Sequence, residues 1–102
     1  MGRRPAKALL FVLTAGLALE NAAAGDRELG QYLSSECMTC HRTSGQNAQG
    51  IPKIHGWPED QFIAVMNAYK QKQRDNPVMQ TVAGRLGADD IAALAAYFST
   101  QK

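Results

Sequence analysis

Apolar residues recur at helical spacing in three segments of this 102-residue chain. The first segment covers residues 26–36, the second begins at Pro58 and runs to about Lys72, and the third begins near Gly87. The apolar positions are Leu29, Tyr32 and Leu33 in the first segment, Phe62, Val65, Met66 and Tyr69 in the second, and Ile91, Leu94, Ala95 and Phe98 in the third. Spacings of three, four and seven residues place each set on one helix face. No stretch alternates as a strand would, so the pattern predicts an all-α fold.

Glycine, proline and polar residues separate these helices. Residues 42–56 contain three glycines and Pro52, and they are predicted to form a loop. Residues 74–78 include Pro77 and are predicted to be a connector, followed by a short helix over 79–84. The chain is therefore expected to consist of three main helices, a short helix and long loops.

Residues that favour helix starts precede each main helix. Asp26 or Gly25 can cap the first helix, Pro58 suits the first turn of the second, and Gly87 can cap the last. Gly30 lies inside the first helix, where glycine lowers helix stability. Its presence makes sense if another helix crosses closely at that point, and an ordinary surface glycine is the alternative.

The first 24 residues have the pattern of an export signal. Basic residues come first, an apolar run follows at 8–19, and three alanines at 22–24 suit cleavage before Gly25. The apolar run is too short to span a membrane, and an uncleaved N-terminal anchor is the alternative. We expect a signal peptide at 1–24 and a mature periplasmic domain at 25–102 that contains no membrane span.

Removal of the signal changes the charge of the protein. The whole chain has 11 basic and 9 acidic residues. The predicted signal contains three of the basic residues and one of the acidic residues. The mature chain of 78 residues therefore keeps eight of each. This balance gives no basis for nucleic-acid binding.

Both cysteines of the chain lie in the pentapeptide Cys37-Met38-Thr39-Cys40-His41. This is the C-x-x-C-H spacing at which c-type haem is attached. Two thiols three residues apart can each add across one vinyl group of a porphyrin, and the adjacent histidine can bind the iron as proximal ligand. The motif predicts one covalently bound haem c, which would also supply apolar bulk to the core of a very small domain.

Three other interpretations of the motif remain. A zinc site could recruit Cys37, Cys40, His41 and His55, but there is no second Cys or His pair at finger spacing. A thioredoxin-like redox motif requires a βαβ context, which the pattern does not predict. The third interpretation is a chance match.

Met79 is the first candidate for the sixth iron ligand. It lies in a predicted connector, 38 residues after His41, and that leaves enough chain to cross the haem edge. Met66 lies on an apolar stripe, where methionine is more often core filler. His55 would give bis-His ligation but lies close to the proximal side, and a five-coordinate iron is expected only if Met79 does not bind.

Taken together, these motifs resemble those of class I c-type cytochromes. The chain is similar to short single-haem bacterial proteins, to halves of di-haem cytochromes and to the haem subunit of flavocytochrome c sulfide dehydrogenase. The matching segments are 37–41, 51–56, 66–70, 74–79 and 89–98. The resemblance implies a small class I cytochrome c fold wrapped around one covalent haem.

The resemblance also implies roles for individual residues. Cys37 and Cys40 would carry the thioether bonds, and His41 and Met79 would be the axial iron ligands. The carbonyl of Pro52 would accept a hydrogen bond from His41, and such contacts orient a ligand and tune its metal. Gly30 would pack against Tyr97 or Phe98 where the first and last helices cross.

Two positions depart from the pattern of the family. Relatives often have glycine where this chain has Lys72, so the end of the second helix is expected to differ. Gly87 stands where Ser or Thr usually caps the last helix, and glycine is only slightly poorer there.

The expected function is electron transfer and not catalysis. Ligation by His and Met fills both axial positions, and the sequence offers no nucleophile or acid–base pair. The first hypothesis is a periplasmic single-electron carrier, and the alternative is a haem subunit that accepts electrons from a sulfide-oxidising flavoprotein. Lys70, Lys72 and Arg74 could form a docking patch for an acidic partner or could simply be cations favoured at a helix C-terminus.

Overall fold

Four α-helices make up the described part of the chain, which in this computed structural model comprises residues 25–42 and 50–102. They are α1 (Arg27–Met38), α2 (Glu59–Lys70), α3 (Pro77–Gly84) and α4 (Ala88–Ser99). No strand occurs among these residues, so the all-α prediction is confirmed for them. The predicted signal peptide at 1–24 and part of the predicted 42–56 loop lie outside the described residues.

Asp26 and Gly87 cap α1 and α4 as the sequence indicates, whereas Pro58 is the N-cap of α2 and does not belong to its first turn. Asp26 is the N-cap of α1, and its carboxylate accepts hydrogen bonds from the N–H groups of Glu28 and Leu29 at 3.0 and 3.1 Å. Gly87 is the N-cap of α4, and its N–H donates to the Asp90 carboxylate at 3.0 Å. These contacts satisfy backbone groups that a helix start leaves without partners.

Helix α3 begins two residues earlier than predicted. Pro77 and Val78 belong to the helix and not to a connector, because Asn76 is the N-cap and Pro77 occupies the first turn. The Asn76 side chain accepts a hydrogen bond from the Met79 N–H at 3.0 Å. The Asn-Pro pair is itself a helix-start signal, so the sequence contained the information that the connector prediction overlooked.

Helix α2 ends in a left-handed turn at a residue that is not glycine. Lys72 has φ +60°. The N–H groups of Lys72 and Gln73 donate to the carbonyls of Tyr69 and Ala68 at 3.0 and 2.8 Å. This is the Schellman pattern, in which glycine is the usual residue. The helix thus ends as it would with glycine, and the difference expected at Lys72 is not observed.

Helices α1 and α4 cross closely at Gly30. Gly30 is buried, and a Cβ atom built on it would lie 2.7 Å from the Ala93 carbonyl carbon and 2.8 Å from the Tyr97 Cβ. Only a residue without a side chain lets the two backbones approach so closely. The predicted helix crossing at Gly30 is therefore confirmed, with Ala93 and Tyr97 as its neighbours.

Helix α4 also supplies the centre of the aromatic core. The fully buried Phe98 stacks on Phe62 of α2, with ring centroids 5.7 Å apart, and meets the Tyr97 ring edge-on at 5.3 Å. All four predicted stripe positions of α4 are buried: Ile91, Leu94, Ala95 and Phe98. This core fixes α2 against α4 and positions the cleft described below.

Candidate haem cleft

One apolar cleft of about 460 Å³ contains nearly all the residues to which the sequence assigns a role. It lies between the end of α1, the 50–57 loop, α2 and the start of α3. Its volume is within the range of roughly 300–1,000 Å³ that is usual for cofactor pockets. The lining residues that were predicted to bind the haem or its iron are Cys37, Cys40, His41 and Met79, and Pro52, predicted to accept a hydrogen bond from His41, lines the cleft with them.

The end of α1 positions the C-x-x-C-H motif. Cys37 lies in the last turn of the helix, and the N–H groups of Cys40 and His41 both donate to its carbonyl, at 3.2 and 2.8 Å. The two thiols and the imidazole are thereby held by one helix end. Burial raises the pKa of the Cys37 thiol to about 11, with a further contribution from the neighbouring Glu36 carboxylate.

Pro52 orients the His41 ring. The Nδ1 atom of His41 lies 2.7 Å from the Pro52 carbonyl oxygen. A carbonyl can only accept, so Nδ1 must carry the proton, and Nε2 is left as the unprotonated nitrogen that can bind a metal. The sequence has no local feature that brings these two residues together across 11 positions; the tertiary structure does so.

Two methionines line the cleft, in different settings. Met66 is 5% exposed and belongs to the buried face of α2, as predicted from its stripe position. Met79 is half-buried in the first turn of α3, where Asn76 holds its N–H. Met38, which lies between the two cysteines, does not line the cleft.

His55, the other candidate ligand, does not line the cleft. Its ring packs edge-on against Phe98, with centroids 5.4 Å apart. Its Nδ1 atom is buried without a hydrogen-bond partner in the described part of the chain. Burial lowers the pKa of His55, and the charge of Lys53 lowers it further. The geometry therefore gives no support to bis-His ligation.

The zinc alternative finds no support either. Within residues 25–42 and 50–102, no three His, Cys, Asp or Glu side chains are grouped so that they could hold a metal ion. A thioredoxin-like site would need strands, and the described residues contain none.

The cleft also contains residues that the sequence did not mark as binding residues. Tyr69 and Arg74 line it together, and Trp57, Val65 and Val82 add apolar surface. The helical stripe had indicated Tyr69 only as a core position. Arg74 belongs to the 74–79 segment on which the resemblance rests, but the sequence did not indicate a role for it in the cleft.

A family model described as cytochrome c matches residues 28–102. The chain belongs to the cytochrome c family. It carries covalently attached haem c. The resemblance stated from the sequence is thus confirmed. The donor set and the apolar walls of the cleft fit this cofactor, since thiols, an oriented imidazole and a thioether line one pocket.

Three curated relatives illustrate the range of the family. Cytochrome c4 of Pseudomonas aeruginosa is 35% identical over 93 residues, which are 90% of this chain and 46% of the relative. Cytochrome c-554(548) of Halomonas halodenitrificans is 34% identical over 83 residues and is matched over 100% of its length and 78% of this chain. The cytochrome subunit of sulfide dehydrogenase of Chlorobaculum tepidum is 30% identical over 69 residues, 68% of this chain and 63% of the relative.

A solved structure shows the same fold. The crystal structure of reduced recombinant cytochrome c4 from Pseudomonas stutzeri superimposes with a TM-score of 0.66 at 21% sequence identity, over 94% of this chain and 54% of that one. The predicted class I all-α fold is confirmed. This chain spans about half the length of the cytochrome c4 proteins that it matches.

The described helices are short. None of those within residues 25–42 and 50–102 has the length and apolar character that a membrane span requires.

Proposed function

We propose that the protein is an exported single-haem cytochrome that passes one electron at a time between redox partners. The observation that carries this proposal is that Cys37, Cys40, His41 and Met79 all line one apolar cleft. Residues 1–24 would direct export as a cleaved signal peptide, and the mature domain would work in the periplasm.

Each of these residues has a defined task in the proposed site. Cys37 and Cys40 hold the porphyrin through thioether bonds. His41 donates its Nδ1–H to the Pro52 carbonyl and would offer Nε2 to the iron. Met79 offers its thioether from the first turn of α3, which Asn76 fixes. The bound haem supplies a one-electron iron centre.

The walls of the cleft have a second task. Ile54, Phe62 and Met66 are buried there and exclude water. Val78, adjacent to Met79, is 67% exposed and gives the rim an apolar contact point. A rim of this kind suits brief docking that leads to electron transfer.

Covalent attachment is tested by the mass and colour of the secreted protein. We expect the mass of residues 25–102 plus one haem. Acid–acetone extraction should leave the haem on the polypeptide. A colourless pellet would contradict attachment through Cys37 and Cys40.

Met79→Ala tests the axial ligand, with Met66→Ala as the matched control. Met79→Ala should abolish the iron–sulfur charge-transfer band, lower the reduction potential and open the iron to exogenous ligands. Met66→Ala should retain the band and lower the free energy of unfolding by roughly 2–5 kcal/mol, as expected for a truncated buried methionine. Visible spectra in both oxidation states decide between the two residues. The opposite pattern would assign the ligand role to Met66.

The second candidate function is that of a haem subunit in an enzyme that oxidises sulfide. It is favoured by the similarity to the cytochrome subunit of sulfide dehydrogenase. In this case a flavoprotein would be the electron donor and a lasting partner. Co-elution with a flavoprotein at high salt supports this alternative, and elution as a free protein supports the carrier.

Recognition by a transient partner would depend on the rim and not on net charge. The mature chain balances eight basic and eight acidic residues. Long-range steering requires a strong field and weakens steeply with salt. Stopped-flow reduction by the native donor should therefore change little across a salt series. A fall by orders of magnitude between low and physiological salt would show that charged residues dominate docking.

A further inference from the structure

The 50–57 loop contains both the residue that orients His41 and the second histidine of the chain. The Pro52 carbonyl accepts the hydrogen bond of the His41 ring, with Nδ1 and the oxygen 2.7 Å apart. Three residues later, the His55 ring packs edge-on against Phe98 of α4, with centroids 5.4 Å apart. The proposed electron transfer gives Pro52 a task but gives none to His55.

The 50–57 loop is fixed to α4 at His55 and Gly56. The Gly56 N–H donates to the Phe98 carbonyl at 2.9 Å, next to the contact between the His55 and Phe98 rings. Ile54, which is 5% exposed, holds the preceding residue in the core. The position of the Pro52 carbonyl therefore depends on contacts that are only a few residues away along the chain.

The surroundings of His55 favour its uncharged ring. The Nδ1 atom of His55 is buried and has no hydrogen-bond partner among the described residues. The uncharged ring can keep its proton on Nε2, whereas the charged ring must place a proton on both nitrogens. A buried N–H without an acceptor is costly, so a protonated ring fits less well against Phe98.

No carboxylate forms an ion pair with His55 within residues 25–42 and 50–102. Lys53, in the same loop, is the charged side chain that acts on the pKa of His55, and like burial it lowers this pKa. The titratable residues of the neighbouring elements are Glu59 and Asp60 in the first turn of α2, Asp89 and Asp90 in the first turn of α4, Tyr97 in its last turn and Lys102 beyond it. Phe98 lies in the last turn of α4, away from the acids of that helix.

Protonation of His55 should therefore weaken the hold of α4 on the 50–57 loop. A histidine ligand that donates to a carbonyl is more basic and favours the more positively charged, oxidised metal. Loosening of the contact between His41 and Pro52 thus favours the reduced protein. We propose that His55 is a positioning residue for His41: its uncharged ring holds the 50–57 loop in place, and protonation of the ring loosens the loop and raises the reduction potential. This inference rests on the proposed binding of the haem iron by His41.

The coupling between electron and proton is reciprocal. If protonation of His55 favours the reduced protein, reduction must favour protonation of His55 to the same extent. Each electron from the donor protein is then accompanied by a fraction of a proton, which His55 takes from solvent. The positive charge of the protonated ring acts in the same direction, since it stabilises an added electron.

Redox titration of the holoprotein between about pH 4.5 and pH 8 tests the inference. The wild-type potential should rise as the pH falls. His55→Phe keeps an aromatic ring against Phe98 but cannot titrate, so this variant should lose the rise. Lys53→Gln is the matched control: it should keep the rise and shift its midpoint to higher pH, because Lys53 lowers the pKa of His55.

Hydrogen exchange at the Gly56 N–H provides a readout that does not involve the iron. This group donates to the Phe98 carbonyl only while the 50–57 loop is held against α4. Its protection factor, corrected for the intrinsic exchange rate, should be lower at about pH 5 than at about pH 7 in the wild type. The difference should be smaller in His55→Phe.

Three results would overturn the inference. A rise in potential that persists in His55→Phe would assign the pH dependence to another titratable group. An unshifted midpoint in Lys53→Gln would have the same meaning. Equal protection of Gly56 at both pH values would show that protonation of His55 does not loosen the loop. Failure of the proposed iron ligation is recognised separately, from the visible spectrum of the wild-type protein, whereas the exchange of Gly56 does not depend on the iron ligands.

Discussion

The α1–α4 crossing and the haem cleft are both apolar, but they are built in different ways. At the crossing, the backbones approach directly over Gly30, and Ala93 is 0% exposed. The cleft is bounded by side chains from three helices and a loop, and several of them, including Met79, remain half-buried. The crossing is packed by the polypeptide alone, whereas the cleft presents a surface for the cofactor. Substitutions should therefore act differently in the two regions.

The largest effect is expected for Gly30→Val at the crossing. A side chain there would overlap with the backbone at Ala93 and with Tyr97. We expect the free energy of unfolding to fall by about 3 kcal/mol or more, since neither backbone can move away easily. Denaturant unfolding followed by far-UV circular dichroism measures this.

Gly84→Ala is the matched control for Gly30→Val. Gly84 is also helical, but a Cβ there would have nothing within 4 Å. The free energy of unfolding of the Gly84→Ala variant should be unchanged or should rise by up to about 1 kcal/mol, because alanine favours the helix. If Gly30→Val were as stable as this control, the crossing would not be closely packed in solution.

A smaller and opposite effect is expected beside the cleft, for Lys72→Gly. Lys72 holds φ +60° at the end of α2. A left-handed conformation costs a residue with a side chain about 1–2 kcal/mol, and replacement by glycine removes this cost. Glycine also raises the conformational entropy of the unfolded chain, which offsets part of the stabilisation. We expect a net stabilisation of about 0.5–1 kcal/mol.

Lys72→Ala separates backbone strain from charge. Alanine removes the ammonium but keeps a Cβ in the left-handed turn, so it should not stabilise the protein. Equal stabilisation by alanine and glycine would mean that the Lys72 charge, and not its backbone, is unfavourable.

The smallest effect is expected for His55, which lies in the 50–57 loop and packs against Phe98. The pKa of His55 lies below its ordinary value of 6.5 because burial disfavours the charged ring. The folded state thus binds the proton less readily than the unfolded state. The contribution of His55 to stability is present above about pH 6.5 and is lost as the pH falls toward the lowered pKa.

The variant His55→Gln tests this pH dependence. It cannot titrate, so its stability should fall less than that of the wild type between pH 7 and pH 5. Equal slopes for the two proteins over this range would show that His55 is protonated equally well in both states.

The helices could be predicted in advance because each depends on local information. The spacing of Phe62, Val65, Met66 and Tyr69 defines a buried face without any knowledge of its partner. Asp26 caps α1 through contacts only two and three residues away. The prediction of a connector at Pro77 was wrong for a reason that is also local. Asn76 and Pro77 together form a helix-start signal, which outweighs the tendency of proline to break a helix.

The cofactor, too, was determined by the sequence itself. Two cysteines followed by a histidine at fixed spacing restrict the chemistry before any folding is considered. The family match supports the haem prediction made from this pentapeptide. The predicted signal peptide at residues 1–24 likewise rests on a local pattern, and it stays a prediction.

Only the tertiary structure decided which distant residues meet. His41 contacts Pro52 across 11 positions, which the family resemblance had implied but no local pattern predicts, and Lys70 contacts Leu86 across 16. Arg74 joins the cleft, although the sequence had grouped it with two lysines. These contacts depend on how the helices and the 50–57 loop pack together. The packing energy is shared among many side chains that have no fixed spacing along the chain. For that reason local patterns revealed the helices and the haem motif, whereas the composition of the cleft emerged only from the folded chain.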